Sequence, residues 1–313
     1  MKTFIAALVA SLLILASATA FSQTYGYVDK GGVFTYFNYP GAPSTAAFGI
    51  NNSAQIVGYY DDPLTNDVRG FLYSQGTFTQ LHYPGSDFTY AFGINNSGHI
   101  VGSYHDSQNF ANGGYLYSGG AYTSINYPGA QGTGASGINN LGQIVGSFTY
   151  PNTNTSHGYL ESGGVFSLLD YPGALNTGPF GINDTGQVVG TYQNGYNQPF
   201  HAFLYSGGTF SNIDYPGADN TLGLGINNGG QIVLDFYSCP GQVCSIHSVL
   251  FSGGQYVPID DPAGGVTWAR GINDYGEIVG GIQGSLIPEP STYLMLGTGM
   301  LGVFAAIRRR MKS

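Results

Sequence analysis

Gly137-Ile138-Asn139-Asn140-Leu141-Gly142-Gln143-Ile144-Val145-Gly146 decides the fold. Two short apolar segments flank Asn140-Leu141-Gly142. Asn and Gly accept positive φ at little cost, so the stretch predicts a strand, a tight turn and a second strand. Gly-Ile-Asn recurs at Gly49, Gly93, Gly137, Gly181, Gly225 and Gly271, in steps of 44, 44, 44, 44 and 46. Tyr-Pro-Gly stands ten residues before the first five of these glycines and degenerates to Asp261-Pro262-Ala263 before the sixth. The two extra residues of the last step fall in the segment holding Cys239 and Cys244.

The third copy displays the contents of the unit. Gly114 to Tyr117 is a short strand, Ser118-Gly119-Gly120 a turn, and Ala121 to Tyr127 a second strand that Pro128 ends, since Pro lacks the ladder donor. Ala135 to Asn139 and Gln143 to Phe148 make two more. Aromatic residues recur in register at Phe34, Phe78, Tyr122, Phe166, Phe210 and Tyr256, and no helical period survives between Ser22 and Leu286. Four short strands in about 44 residues is the size of a propeller blade. A lone four-stranded sheet cannot hide both faces, so the units must stack. The expected fold is all-β: a six-bladed β-propeller over residues 21–284. An open array of sheets is the alternative, because ring closure is not visible in sequence.

Both ends carry addresses. Residues 1–20 have one base, Lys2, an apolar run, and Ala18-Thr19-Ala20, the pattern of a secretory signal peptide cleaved after Ala20. At the other end, residues 285–313 hold Pro288-Glu289-Pro290, an apolar stretch at 293–307 expected to be a short transmembrane helix, and Arg308-Arg309-Arg310. Bases stay in the cytoplasm, so everything before them lies outside. These three parts in this order resemble the PEP-CTERM sorting signal of Gram-negative bacteria. The resemblance implies recognition and cutting near Pro288-Glu289-Pro290 by an exosortase-type membrane protease, and a producer that makes extracellular polysaccharide. A permanent single-pass anchor is the alternative. The repeat itself, with His201-Ala202-Phe203-Leu204-Tyr205, resembles the HAF repeat of bacterial extracellular proteins, although Arg69-Gly70-Phe71, Gly113-Gly114-Tyr115 and His157-Gly158-Tyr159 depart from the triplet.

Only 8% of the 313 residues are charged, and five of the eight bases sit at the extreme ends. Between Lys2 and Arg308 three bases, Lys30, Arg69 and Arg270, face 17 acids, a net of −14. Such a surface repels phosphate backbones, which excludes nucleic acid as a partner. Two cysteines with four residues between them in an oxidising compartment predict a local Cys239–Cys244 disulfide.

Candidate sites follow the repeat. The six Gly-Ile-Asn asparagines, and Thr45, Thr89, Thr133, Thr177, Thr221 and Thr267, are expected to be architecture, because a residue needed once per unit serves the unit. The residue before the Tyr-Pro-Gly tyrosine varies: Asn38, His82, Asn126, Asp170, Asp214 and Asp260. Asp170, Asp214 and Asp260 on consecutive units form a pattern that can hold calcium or hydrogen-bond a sugar, although no cofactor is required. Solvent-facing polar strand ends are the alternative. After the threonine the residues are Ala46, Tyr90, Gly134, Gly178, Leu222 and Trp268, and Tyr90 and Trp268 can stack on sugar rings or fill the core. Asp61 to Asp67 lacks the glycine and glutamate of an EF-hand loop. Nucleophile elbow, phosphate loop and His-Glu-x-x-His are all absent from the sequence. The expected function is a non-catalytic structural or glycan-interaction module at the cell surface or in the extracellular matrix, at first membrane-anchored. A polysaccharide hydrolase or lyase on the same scaffold, with Asp170, Asp214 and Asp260 as acid and base, is the alternative.

Overall fold

The computed structural model describes residues 23–65, 67–106, 111–239, 244–262 and 264–284. Signal peptide, sorting motif and the expected helix at 293–307 lie outside the described residues. Every regular element described is a strand. β1 (Thr24–Asp29) and β2 (Phe34–Phe37) open the chain, and β3 (Thr45–Ile50), β4 (Ile56–Asp61), β5 (Val68–Ser74) and β6 (Thr77–Leu81) form one antiparallel sheet. The same succession returns in β7 (Phe88–Ile94), β8 (Ile100–Asp106), β9 (Ala111–Ser118) and β10 (Ala121–Ile125). It returns again in β11 (Gly132–Ile138), β12 (Ile144–Thr149), β13 (Ser156–Ser162) and β14 (Val165–Leu168). β15 (Asn176–Ile182), β16 (Val188–Gln193), β17 (Phe200–Ser206) and β18 (Thr209–Asn212) make a further sheet. So do β19 (Asn220–Ile226), β20 (Ile232–Ser238), β21 (Ser245–Ser252) and β22 (Gln255–Pro258). β23 (Val266–Ile272) and β24 (Ile278–Gln283) then pair with β1 and β2, in the order β2-β1-β24-β23.

Six separate four-stranded blades were expected, and the hydrogen bonding corrects this. Four sheets stand as four-stranded blades, whereas β7–β14 form one sheet of eight strands. The join is a single parallel pairing of Asn112 in β9 with Gly132 in β11. At two equivalent places a side chain fills the gap: Ser156 N–H donates to Asn176 Oδ1, and Phe200 N–H donates to Asn220 Oδ1. Gly132 has no side chain to interpose, so the backbones meet directly.

The repeat seen in sequence is also offset from the sheet by half a unit. Each sheet begins at the threonine strand and ends before the next Tyr-Pro-Gly, so the amino-terminal β1 and β2 belong with the last strands of the chain. Thr24 to Asp29 pairs with Gln283 to Ile278 along its whole length. This late pairing closes the ring and removes the exposed edges an open array would leave.

The first strands of successive sheets, β3, β7, β11, β15, β19 and β23, touch one another around the axis. Glycine makes this approach: a Cβ on Gly137 would lie 2.6 Å from Phe180 O, and one on Gly271 2.6 Å from Phe48 O. Behind each glycine sits a fully buried valine or its counterpart, Val57, Val101, Val145, Val189, Val233 and Val279, each at 0% exposure. At roughly 1.5–3 kcal/mol per buried side chain, these hold neighbouring sheets face to face. The Tyr-Pro-Gly tyrosines stack on the second strands, as Tyr39 does on Tyr60 with ring centroids 3.6 Å apart. Their backbone N–H groups donate to the threonine hydroxyls, from Tyr39 to Thr45 through Tyr215 to Thr221, which pins each connection to the inner strand.

Candidate functional site

The two ends of the axis are built differently. Where the inner strands finish, Asn51 Nδ2 donates to the Asn95 carbonyl, Asn95 to Asn139, Asn139 to Asn183, Asn183 to Asn227, Asn227 to Asn273, and Asn273 back to Asn51. The Oδ1 of Asn139 meanwhile accepts from Leu141 and Gln143 N–H, holding the following turn. All six are buried, at 3–4% exposure, so their polar atoms are consumed by structure. An outer lacing of Asn52, Asn96, Asn140, Asp184, Asn228 and Asp274 repeats the closure, each backbone N–H donating to the next side chain.

Where the inner strands begin, a cavity of about 750 Å³ opens on the axis. Its apolar wall includes Phe48, Phe92, Phe180 and Leu224, the residues just before the Gly-Ile-Asn glycines. Ser103, Ser136, Ser147 and Thr149 line it as well, with their hydroxyl groups. At the level above, residues paired across the first two strands of each sheet trade size. Ala46 faces Tyr59, Tyr90 faces Ser103, Gly134 faces Ser147, Gly178 faces Thr191, Leu222 faces Asp235, and Trp268 faces Gly281. The Trp268 indole occupies the space a Gly281 side chain would need, 2.4 Å from its ideal Cβ. Three adjacent copies thus supply Trp268, Tyr59 and Tyr90, while the next two supply only small residues. Tyr59 and Tyr90 pack edge to face at 5.3 Å. Burial pushes the Tyr59 hydroxyl well above its ordinary pKa and that of Tyr90 up to about 12, so both stay protonated donors at neutral pH.

One charge pair stands in this wall. Arg270 lines the cavity, lies 7% exposed, and donates through Nη1 to Asp235 and to the Ala269 carbonyl; its guanidinium carbon sits 5.7 Å from the Phe48 ring centre. Asp235, 1% exposed, also accepts from Ser248 Oγ at 2.5 Å, and burial raises its carboxyl above the usual range against the lowering by Arg270. Nε of Arg270 is buried without a partner.

The sequence candidates divide. Asp260 and Trp268 line the cavity; His82, Tyr90, Asp170 and Asp214 do not. Asp170 accepts from His157 Nδ1 at 2.8 Å and Gly158 N–H, Asp214 from His201 Nδ1 at 2.7 Å and Ala202 N–H, and His82 contacts Arg69. Each is used within its own sheet. Among the described residues no three His, Cys, Asp or Glu side chains gather as metal ligands, so the three aspartates do not form one site. Cys239 and Cys244 are joined in a disulfide. Tyr59, Asp235 and Arg270 escaped the sequence reading, although Asp235 and Arg270 both stand where the other copies carry uncharged residues. Thr24 and Gln283 both line the cavity, so the described chain starts and ends at its mouth.

The PEP-CTERM protein-sorting motif matches residues 286–310. The tail is an exosortase sorting signal. Such a signal implies an exported protein anchored at the membrane and recognised by an exosortase. No curated protein matches the chain. Among solved structures, the putative TolB from Agrobacterium tumefaciens is similar with a TM-score of 0.64 and 12% identity, over 85% of this chain and 99% of that one. TolB from Acinetobacter baumannii is similar with a TM-score of 0.53 and 12% identity, over 90% and 69%. At that identity the likeness establishes the β-propeller fold alone. Among the described residues no helix is long and apolar enough to cross a membrane.

Proposed function

We propose that the exported chain is a non-catalytic surface module that binds a glycan of the extracellular matrix in its axial cavity. The observation that carries this reading is the mixed lining of the cavity: the rings of Trp268, Tyr59, Phe48 and Phe180 stand among Ser103, Ser136, Ser147 and Thr149, in a space sized for a few sugar rings. Pyranose rings present an apolar face to stack and a hydroxyl rim to hydrogen-bond, and the aromatic and hydroxyl-bearing side chains of the lining answer those two needs. The resemblance to HAF repeats and the sorting tail favour a polysaccharide-producing setting. Against hydrolysis or lysis, Asp170 and Asp214 are each tied to their own histidine, and Asp260 lines the cavity without either of them.

Retention of the purified protein on matrix extracted from the producing cells tests the reading directly. Wild type should be retained, Trp268→Ala released, and no new reducing ends should appear during incubation. Passage of wild type straight through the matrix would remove the glycan role, and new reducing ends would restore the enzyme.

A further inference from the structure

The ligand's charge class can be read from how the cavity's own charges are spent. Among the described residues every lysine and arginine is in an ion pair: Lys30 with Glu277 at 2.6 Å, Arg69 with Asp67 at 2.7 Å, and Arg270 with Asp235. Only Arg270 of the three lines the cavity. Its charge is already met by Asp235 across a contact from which water is excluded. Asp260 and Asp261 line the same wall, Asp261 accepting from Tyr36 Oη at 2.6 Å, and His247 is engaged by Ser245 at 2.9 Å. The lining therefore has no surplus positive charge to offer and two carboxylates besides.

From this we propose that the cavity selects uncharged pyranose chains and rejects uronates, an inference that rests on the glycan reading above. Nη1 makes both hydrogen bonds of Arg270, to Asp235 and the Ala269 carbonyl, which leaves the Nη2 edge for an acceptor on the ligand. A hydroxyl or ring oxygen takes such a hydrogen bond without disturbing the pair. A carboxylate would compete with Asp235 for the same guanidinium, and success would strand a buried carboxylate without its counter-ion. Asp260 and Asp261 would add repulsion across a short, poorly screened distance. Trp268, fixed over Gly281, supplies the stacking surface in either case, so the discrimination lies in charge and not in shape.

The test titrates the full chain, held in detergent, with a panel of uronate tetramers and the carboxyl-reduced counterpart of each, by calorimetry. At least one reduced tetramer should bind tenfold or more tightly than its uronate parent. The gap should narrow between about 20 mM and about 500 mM salt, as screening shortens the reach of Asp260. Asp260→Asn, at an exposed position, should narrow it at low salt by tightening the uronate. The double variant Arg270→Phe/Asp235→Ser installs what the fourth and third copies carry at the same places, Phe180 and Ser147, and should fold while losing at least tenfold affinity for the reduced tetramer. Equal or tighter binding of the uronates would overturn the selectivity and leave the glycan reading standing. Binding of no tetramer would also overturn it, and retention on the producer's matrix would then report separately whether the glycan reading falls as well.

Discussion

The laced end of the axis and the open end are made from the same strands, yet they obey opposite rules. At the laced end all six copies carry Gly-Ile-Asn, because each copy must present the same donor and the same bare backbone to its neighbour. Half a strand away the copies carry Phe48, Phe92, Ser136, Phe180, Leu224 and Arg270, which all line the space, even where Phe48 also packs on Phe92 and under Arg270. Identity marks contact between copies and divergence marks a lining, and the clearest way to break this contrast is at the one pair that belongs to neither rule.

Arg270→Ala should be the most damaging single change. It strands Asp235, 1% exposed, without its counter-ion, at a cost of about 3–5 kcal/mol, or roughly 10 °C in the unfolding midpoint. Arg270→Phe/Asp235→Ser should recover most of that. The sign with pH follows from the raised Asp235 carboxyl, which rises further once Arg270, its largest lowering influence, is gone. The folded state then holds that proton more readily than the unfolded state, so stability grows as pH falls toward the ordinary carboxylate value. The single variant's deficit at about pH 7 should therefore shrink toward about pH 4. A deficit independent of pH would mean that the ion pair is not what the substitution breaks.

At the laced end, Gly137→Ala drives a methyl group to 2.6 Å from Phe180 O, a backbone atom that cannot rotate away. About 3 kcal/mol of destabilisation is expected from overpacking, measured by chemical denaturation. Gly134→Ala, three residues earlier, meets the side-chain Ser103 Oγ at 3.0 Å and the Ser147 carbonyl at an ordinary 3.9 Å, and should cost under about 1 kcal/mol. Equal costs at the two positions would dissolve the distinction between contact and lining. Next in size, Asn139→Ala removes one donation to the Asn183 carbonyl and two acceptances from Leu141 and Gln143 N–H, and leaves that buried carbonyl short of a partner. About 2 kcal/mol is expected, with hydrogen exchange rising at Leu141 and Gln143.

The contrast also explains what could be read without coordinates. A period of 44 residues announced the repeating sheets, and the asparagines were legible as architecture because a residue demanded once per unit serves the unit. The half-unit offset was not legible: nothing local in Thr24 to Asp29 says that it pairs with Ile278 to Gln283, since closure is a contact between segments far apart in the chain. The eight-stranded sheet hid in the absence of a side chain at Gly132, whose meaning appears only beside Asn176 and Asn220. Asp170 and Asp214 misled for a related reason. Their regular spacing suggested one ring, but each carboxylate points to a histidine 13 residues earlier in its own sheet. Asp235 and Arg270 stand 35 residues apart in different sheets, and the available signal was their departure from the repeat.

The smallest expected effect tests whether the outer lacing is structural in the same sense as the inner. Asp184 and Asp274 replace asparagine there, and Asp184 accepts from Asn140 N–H, Asn140 Nδ2 and Asn228 Nδ2, each at 2.8 Å. Burial raises its carboxyl, but these donors outweigh that and hold it below the usual value. A depressed carboxyl contributes stability above its unfolded pKa and loses it as pH falls through the folded one. Asp184→Asn turns one accepting oxygen into a donor facing two amides. At about pH 7 this should cost about 0.5 kcal/mol, since the site is open to water, and the difference from wild type should close below about pH 4 as the native carboxylate takes up its proton. An equal deficit at both pH values would assign the loss to the exchanged amide geometry alone, and not to the charge of the carboxylate.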